Sequence, residues 1–589
     1  MTASSEEDFL PIIKQYNYNV DTKEEILKRD KHNDYITRYP TVYIVIDKLS
    51  GRKNVGKFKA YVGETNNIVR RTEQHLKSES SSREDWTALN SSKHAKLIVI
   101  AHREFNKSLT LDIENKLMQY LVSDDSIAEL NNRRSNDQDL YYTHDRFKFI
   151  FEEIWKGLSE KREDIFPDID DIKNSAIFKA SPFHKLTDEQ IDARDKIIEK
   201  VNKIENTQTD DNLIVVKGSA GTGKTVLLSS LFAELNTKSS NQEAYVIVNH
   251  DQQLKVYENI ANKLGIKSKF GDDIANKPTM FLNRHPVTDN NKTKSADIVL
   301  VDEAHLLLTQ GYMAYRRKNQ LDDLKKVSKV VVAVLDPYQV LKSNGYMEKD
   351  YYDKIFNNAQ KHGNLIELNQ QNRMMANDDT INWIDNIIEN RKISEIPEDD
   401  KYDLRVFDNI DDMYSAIKEH DGKNENLVRG LSRMVATYDW EFKNKPKPAI
   451  DEETGDSYWR VKIGDNFNLP WNNQIPVEKK FKELAWAEQP QTINEVGSTF
   501  TIQGFDLNYC GLIIGPSVKY RDGKIVFDKN YSYDKQATNK RTMDNGDKKD
   551  VSDELIRNEL NVLMKRGVHG LYIYAVDDAL RNELLKMSK

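Results

Sequence analysis

Blocks of β-branched and aromatic residues alternate with polar stretches of helical spacing along most of the chain. Near its start, residues 41–47 (TVYIVID) and 57–63 (KFKAYVG) flank the turn-like Ser50-Gly51 and Gly56, which predicts two paired strands. Asn67 stands where an N-cap would, ahead of IVRRTEQHL, whose Ile68 and Leu76 bracket a polar helical stretch. Residues 97–101 (LIVIA) predict a third strand, and 111–122 (LDIENKLMQYLV) carry apolar residues at helical spacing. The expectation is a polar leader at 1–35 and a small β-β-α-β-α module over 36–150. Residues 151–186, charged and holding two prolines, predict a helical linker.

From Thr187 the texture changes. A helix leads into the strands LIVVKG, AYVIVNH, DIVLVDEAH and VVVAVLD, each separated from the next by a helix, over a unit spanning 187–360. Such alternation implies crossover connections and a parallel sheet covered on both faces. The strand-like LIELN opens a second unit of the same style over 361–589, with YCGLIIGP and GLYIYAV as its later strands. Residues 376–495, rich in Asn, Asp and Trp, predict an inserted or peripheral region. Residues 519–550 predict a hairpin at Asp522-Gly523 followed by a mobile polar loop.

Composition narrows the class. With 38% hydrophobic and 9% aromatic residues in periodic blocks, the chain reads as globular. Its 87 Lys and Arg against 95 Asp and Glu leave a net charge of -8, so any nucleic-acid contact must come from local basic surface. The single cysteine, Cys510, excludes an internal disulfide and a cysteine-based zinc knuckle, and fits a reducing compartment. The N-terminus lacks the apolar core of a secretory signal, and runs such as 330–335 (VVVAVL) fall far short of the ~20 residues of a membrane span. A cytoplasmic protein is expected.

The strongest local signal is Gly218-Ser219-Ala220-Gly221-Thr222-Gly223-Lys224-Thr225, between the strand LIVVK and the helix VLLSSLFAEL. Its glycines, Gly218, Gly221 and Gly223, let backbone N–H groups curl around phosphate oxygens, Lys224 reaches the β/γ phosphates, and Thr225 can ligate Mg2+. Asp302 and Glu303 end a buried strand, at the sheet edge where ligands of open α/β sheets sit. Asp302 would hold the Mg2+ shell and Glu303 would orient or deprotonate the attacking water, although two acids can also merely cap a following helix.

Together with DEAH at 302–305, that loop resembles motifs I and II of superfamily 1 helicases, and further blocks follow in order. LTDEQ at 186–190 resembles the glutamine motif, implying Gln190 as adenine reader; a plain capping box from Thr187 to Gln190 is the alternative. LDPYQ at 335–339 resembles motif III, implying Gln339 as γ-phosphate sensor, and QNRM at 371–374 resembles motif IV, with Arg373 facing the nucleotide. STFTIQGFD at 498–506 resembles motif V, and NVLMKRGVHG at 561–570 resembles motif VI, implying Arg566 as an arginine finger. The closing blocks are similar to the bacterial Schlafen-like group of DNA/RNA helicase domains. Lys565 before Arg566 departs from the commoner threonine-arginine form. For the nucleic-acid strand, Tyr312, Tyr315, Arg316, Arg317, Trp440 and Trp459 are candidates, each equally at home in a core or on an ordinary surface.

The first module carries Tyr43, Tyr61, Gly63, Arg71, His75, Glu114 and Asn131. Arg71 and His75, at i and i+4, share a helix face. Two phenols, a guanidinium, an imidazole and a carboxylate could cut a phosphodiester: phenol or imidazole takes a proton from water, Arg71 steadies the phosphorane, and Glu114 holds a divalent metal. Taken singly, the tyrosines are ordinary sheet aromatics. The ordered set resembles the GIY-YIG endonuclease family over about residues 40–135. That resemblance implies that Tyr43 and Tyr61 position or activate the water, Arg71 and His75 assist, Glu114 binds Mg2+ or Mn2+, and Gly63 gives a tight turn. Thr41 stands where the family has its first glycine.

The expected fold class is α/β: a small α+β GIY-YIG module, then two RecA-like parallel-sheet domains with inserted segments. The joint reading is an ATP-dependent nucleic-acid translocase or helicase coupled to a metal-dependent endonuclease. DNA is expected over RNA as partner, with no membrane, and a second copy or a partner defence protein could join it. The layout resembles bacterial anti-phage defence proteins; a repair enzyme acting on structured DNA, or a nucleotide-dependent binding switch with a degenerate nuclease, are the alternatives.

Overall fold

A computed structural model of the chain describes residues 10–28, 33–77, 89, 92–131, 138, 140–207, 211–218, 221–236, 242–269, 271, 273–287, 294–369, 374–421, 430–451, 454–482, 484–502, 505–543 and 546–588. Contacts divide it into two compact units: Met1–Thr187 with Thr225–Ala244 and Lys255–Ala275, and Asp188–Lys224 with Tyr245–Leu254 and Asn276–Lys589.

In the first unit, β1 (Ile12–Asn17), β2 (Thr41–Lys48), β3 (Phe58–Thr65), β4 (Lys96–Ala101) and β5 (Ile127–Leu130) form one sheet in the order β1-β4-β2-β3-β5. β2 pairs antiparallel with both β3 and β4, and β5 runs parallel to β3. Val42 to Ile46 are all buried, because β2 is covered on both faces. Tyr43, Val45, Leu97, Val99 and Ile68 pack together on one of them. The expected N-cap holds: Asn67 Oδ1 accepts from the backbone N–H of Arg70 at 2.9 Å, just before the Ile68–Lys77 helix.

Two boundaries differ from expectation. The stretch taken as a leader contains β1, an edge strand that pairs antiparallel with β4. The stretch taken as a linker continues the Phe147–Lys161 helix, which buries Ile150, Phe151, Ile154, Trp155 and Leu158. Trp155 meets Tyr120 with ring centroids 4.9 Å apart and donates its indole N–H to Pro167 O at 2.9 Å. Its charged outer face hid an apolar stripe belonging to the nuclease-like unit.

The next sheet has the order β11-β6-β10-β9-β7-β8, from β6 (Leu213–Gly218), β7 (Ala244–Val248), β8 (Ala275–Asn276), β9 (Ala296–Asp302), β10 (Ser328–Leu335) and β11 (Leu365–Leu368). β10 pairs in parallel with β6 and β9. LIELN was expected to open the second parallel unit; instead β11 closes this sheet, running parallel to β6 with Leu365 opposite Val215.

The third sheet is parallel throughout its pairs and ordered β12-β22-β17-β13-β16. Its strands are β12 (Asp403–Val406), β13 (Arg433–Ala436), β16 (Val496–Gly497), β17 (Leu507–Ile514) and β22 (Gly567–Ala575), with a peripheral hairpin of β14 (Arg460–Ile463) and β15 (Phe467–Pro470). The presumed insertion at 376–495 therefore supplies β12 and β13 to the sheet, and only part of it is peripheral. The expected hairpin forms from β18 (Val518–Arg521) and β19 (Lys524–Phe527); Asp522 and Gly523 have φ of 49° and 75°, as a two-residue turn requires. The polar run after it is ordered where described, with β20 (Arg541–Thr542) pairing β21 (Lys548–Lys549). Buried Arg541 donates to Ser343 O at 3.1 Å and Thr309 O at 2.9 Å. No helix among the described residues is long and apolar enough to cross a membrane.

Candidate nuclease and nucleotide sites

Antiparallel register sets the first site. Tyr43 lies opposite Gly63 and Tyr61 lies opposite Val45, so both phenols and the glycine share one sheet face. A Cβ on Gly63 would stand 2.5 Å from Cζ and Oη of Tyr43. The glycine is thus needed for close approach of the ring, not for the tight turn that the family resemblance implied. The Ile68–Lys77 helix brings Arg71 and His75 over this face. Tyr43 Oη lies 2.7 Å from His75 Nε2, and Arg71 Nε donates to the same hydroxyl at 3.3 Å. The Tyr61 ring lies 6.0 Å from Tyr43 and 5.7 Å from His75, centroid to centroid.

Electrostatics bind Glu114 into the group. Burial, then the neighbouring Glu64 carboxylate, pushes the Glu114 carboxyl up to about 8, against the pull of Lys107 and Arg71. The Glu114 charge is also felt at the Tyr61 phenol. Glu64 was missed by the sequence reading, although it directly follows Gly63. It is ion-paired with Lys107 and accepts from Thr110 Oγ1 at 3.5 Å. A buried carboxyl with a second carboxylate beside it fits a divalent cation, and Mg2+ in particular needs only one or two carboxylates because it keeps several waters. Among the described residues no group of three or more His, Cys, Asp or Glu could hold a metal. Burial raises both phenols, Tyr43 well above 10, so they stay protonated at neutral pH. Asn131 serves the sheet, its backbone N–H donating to Ala60 O at 3.0 Å.

The phosphate loop leaves β6 at Gly218, where an added Cβ would meet Thr222 Oγ1 at 2.5 Å. Gly221 and Gly223 have φ of 92° and 74°, which L side chains rarely adopt. Lys224 opens the Lys224–Leu235 helix, with partly exposed Thr225 next to it. Lys224 Nζ donates to Gly218 O at 2.9 Å and stands 3.9 Å from Asp336 Oδ2. Gln190 is buried and donates to Thr222 O at 3.1 Å, so its amide here meets the loop backbone. Gln339 donates to Asp336 Oδ2 at 2.6 Å.

Asp302 ends β9 and is 1% exposed. Glu303 takes the left-handed conformation, φ 50° and ψ 51°, uncommon for a residue with a side chain and a mark of stored strain. Its Oε2 lies 3.2 Å from Nε2 of buried His305, which burial keeps neutral. Arg566 is 2% exposed and donates to Val562 O and Phe505 O, each at 3.1 Å, while its charge reaches His305. Arg373, Gln371 and Asn372, together with Ser219, Ala220, Gln503 and Gly504 of the neighbouring motifs, lie outside the described residues.

The family described as Schlafen group 3, DNA/RNA helicase domain, matches residues 211–577, well over half of the chain. The chain belongs to this family. A GIY-YIG catalytic domain matches residues 39–123 ahead of it. A Saccharomyces cerevisiae protein, "Uncharacterized protein YPL245W", is 36% identical over 414 residues, which is 64% of this chain and 84% of the yeast protein. The solved structure in "Structural Basis for DNA Unwinding at Forked dsDNA by two coordinating Pif1 helicases" is similar at 12% identity and a TM-score of 0.27, covering 67% of this chain and 94% of its own. At that score the likeness supports nothing further.

Within this Schlafen group 3 helicase, the strand-binding candidates separate. Tyr312 and Arg316 are exposed. Tyr315 is buried and donates to Asp323 Oδ2 at 2.7 Å, and Arg317 pairs with the same carboxylate at 2.9 Å. Trp440 and Trp459 pack against the core of the third sheet, and the Trp459 indole N–H donates to Lys443 O at 2.9 Å. The helicase and nuclease domains imply a nucleic-acid partner.

Proposed function

We propose that this protein hydrolyses ATP to move on nucleic acid and cuts DNA with its GIY-YIG module. The observation that carries the reading is the convergence of Arg71 and His75 on the single hydroxyl of Tyr43, with Tyr61 and Glu114 around it. A phenol held protonated by burial is a poor base at neutral pH, so Tyr43 acts as a relay. Its oxygen accepts the proton of the attacking water as its own hydroxyl proton passes to Nε2 of His75, so the imidazole ends with the proton and no free phenolate forms. Arg71 steadies the charge that develops on the phosphorane. Glu114, with Glu64 beside it, would hold a divalent cation, Mg2+ or Mn2+, which when bound would supply further charge neutralisation. DNA is favoured as substrate because it has no 2′-hydroxyl to serve as internal nucleophile and so needs an activated water.

At the other site ATP is the substrate. Lys224 would exchange its bond to Gly218 O for β/γ phosphate oxygens, a swap that costs about 1 kcal/mol before the gain from the phosphate. Thr225 and Asp302 would hold Mg2+, Glu303 would orient the attacking water, Gln339 would sense the γ-phosphate, Arg373 would face the nucleotide, and Arg566 would add positive charge. Tyr312 and Arg316 would contribute to grip on the strand. The defence setting rests on the pairing of motor and nuclease alone: phage-challenge survival lost in both Glu114→Ala and Lys224→Ala strains supports it, whereas sensitivity to DNA damage alone favours repair. The direct test is incubation of purified protein with single-stranded, duplex and branched DNA and RNA, with and without ATP and Mg2+. Metal-dependent cleavage and strand-stimulated ATPase support the proposal; a protein that binds and does neither is a switch.

A further inference from the structure

Asp302 is almost fully buried, and each of its oxygens meets a neutral donor. Oδ1 accepts from the backbone N–H of Glu303 at 3.0 Å, and Oδ2 accepts from Gln253 Nε2 at 2.6 Å. Gln253 is 5% exposed and lies in the first turn of the Asp251–Lys263 helix, immediately beyond β7. That turn is itself pinned. Asn249 Nδ2 donates to Leu306 O at 2.8 Å, in the 3-10 turn Ala304–Leu306 that follows Glu303, and Asp251 is ion-paired with Lys277.

An amide in this place has a particular chemistry. It fixes the plane and rotation of the carboxylate while adding no charge, so it does not compete with an incoming cation as a lysine or arginine would. We propose that Gln253 is the positioning residue for Asp302, orienting the carboxylate and so setting the divalent-cation affinity of the nucleotide site. The inference rests on the reading of Asp302 as an Mg2+ ligand, and it adds a residue that no motif in the sequence marked.

The test reads cation binding and not turnover. A fluorescent ADP analogue is titrated with MgCl2 on wild-type, Gln253→Ala and Gln253→Glu proteins, and its affinity in EDTA is measured on the same preparations. Gln253→Ala is expected to raise half-saturating Mg2+ about 10- to 100-fold, the usual cost of losing such a partner, with the affinity in EDTA unchanged. Gln253→Glu keeps the shape but sets two carboxylates against each other. The N–H that Asp302 Oδ2 accepts from is then gone, and half-saturating Mg2+ is expected to differ from wild type by more than twofold. Half-saturating Mg2+ within twofold of wild type in both variants would overturn the role of Gln253. So would an equal loss of affinity in EDTA, which marks a structural defect only. Wild-type protein without any cation-dependent nucleotide binding would instead overturn the site itself.

Discussion

Oη of Tyr43 lies 2.7 Å from Nε2 of His75, and both residues are about 1% exposed. The contact joins β2 to the Ile68–Lys77 helix across 32 positions of sequence, and Arg71 approaches the same oxygen one turn earlier on that helix. A hydroxyl buried between an imidazole and a guanidinium is oriented by both. Replacing Tyr43 with Phe keeps the ring and removes only this junction. Cleavage is expected to fall by about 10²- to 10⁴-fold, the range associated with one proton-transfer group, while ATPase stays at the wild-type level. Because burial raises the phenol well above 10, the wild-type pH–rate profile should show no Tyr43 ionisation up to about pH 10; a phenolate inflection near neutrality, lost in the variant, would contradict this assignment.

Gly63→Ala tests the same ring from below. The new Cβ would stand 2.5 Å from Tyr43 Cζ, and the ring has little room to retreat. Overpacking of this kind costs about 1 to 3 kcal/mol and should move the phenol out of reach of His75. Loss of cleavage together with a lowered melting temperature of the nuclease module is the expected result.

Much of this was legible in the sequence. The β2 and β3 runs, the Asn67 cap and the i, i+4 pair Arg71 and His75 are local patterns, and the antiparallel register then brings them together without further information. Glu64 was not legible, because its significance is its charge acting on buried Glu114, an influence between positions distant in sequence that no local period encodes. Gln253 was hidden for the same reason. Domain edges failed where composition misled: β1 lies in a polar leader, Trp155 in a charged helix and β12 in an Asn-rich stretch. In each case long-range packing, and not propensity, recruited the segment.

A pH dependence of stability is expected in the second unit. Burial pushes Asp439 up to about 6, although Ser517 and Thr437 donors pull it back, and the neighbouring Glu559 is raised well above the carboxylate range. A carboxyl raised in the folded state contributes stability that is full below its unfolded value near 4 and is lost as pH rises through about 6. For Asp439 the loss is at most about 3 kcal/mol. Asp439→Asn has no such penalty, so its unfolding free energy relative to wild type should improve between pH 4 and pH 7. Denaturant melts across that interval check it, and a pH-independent difference would contradict the assignment.

Arg566 is expected to do two jobs. Its guanidinium satisfies Phe505 O and Val562 O inside the protein, so Arg566→Ala leaves two buried carbonyls without their donor. Unfolding free energy should fall by about 2 to 4 kcal/mol alongside the loss of ATPase. A residue acting only as a finger would lose ATPase with an unchanged melt. Thermal unfolding beside the turnover assay separates the two.

The central claim is that one polypeptide runs two separate chemistries, and paired variants measure it most directly. Metal-dependent DNA cleavage and ATPase are assayed on the same preparations of wild-type, Glu114→Gln and Lys224→Ala protein. The expected result is that Glu114→Gln loses cleavage and keeps ATPase, while Lys224→Ala loses ATPase. Undiminished cleavage by Glu114→Gln, or undiminished ATPase in Lys224→Ala, would contradict the account.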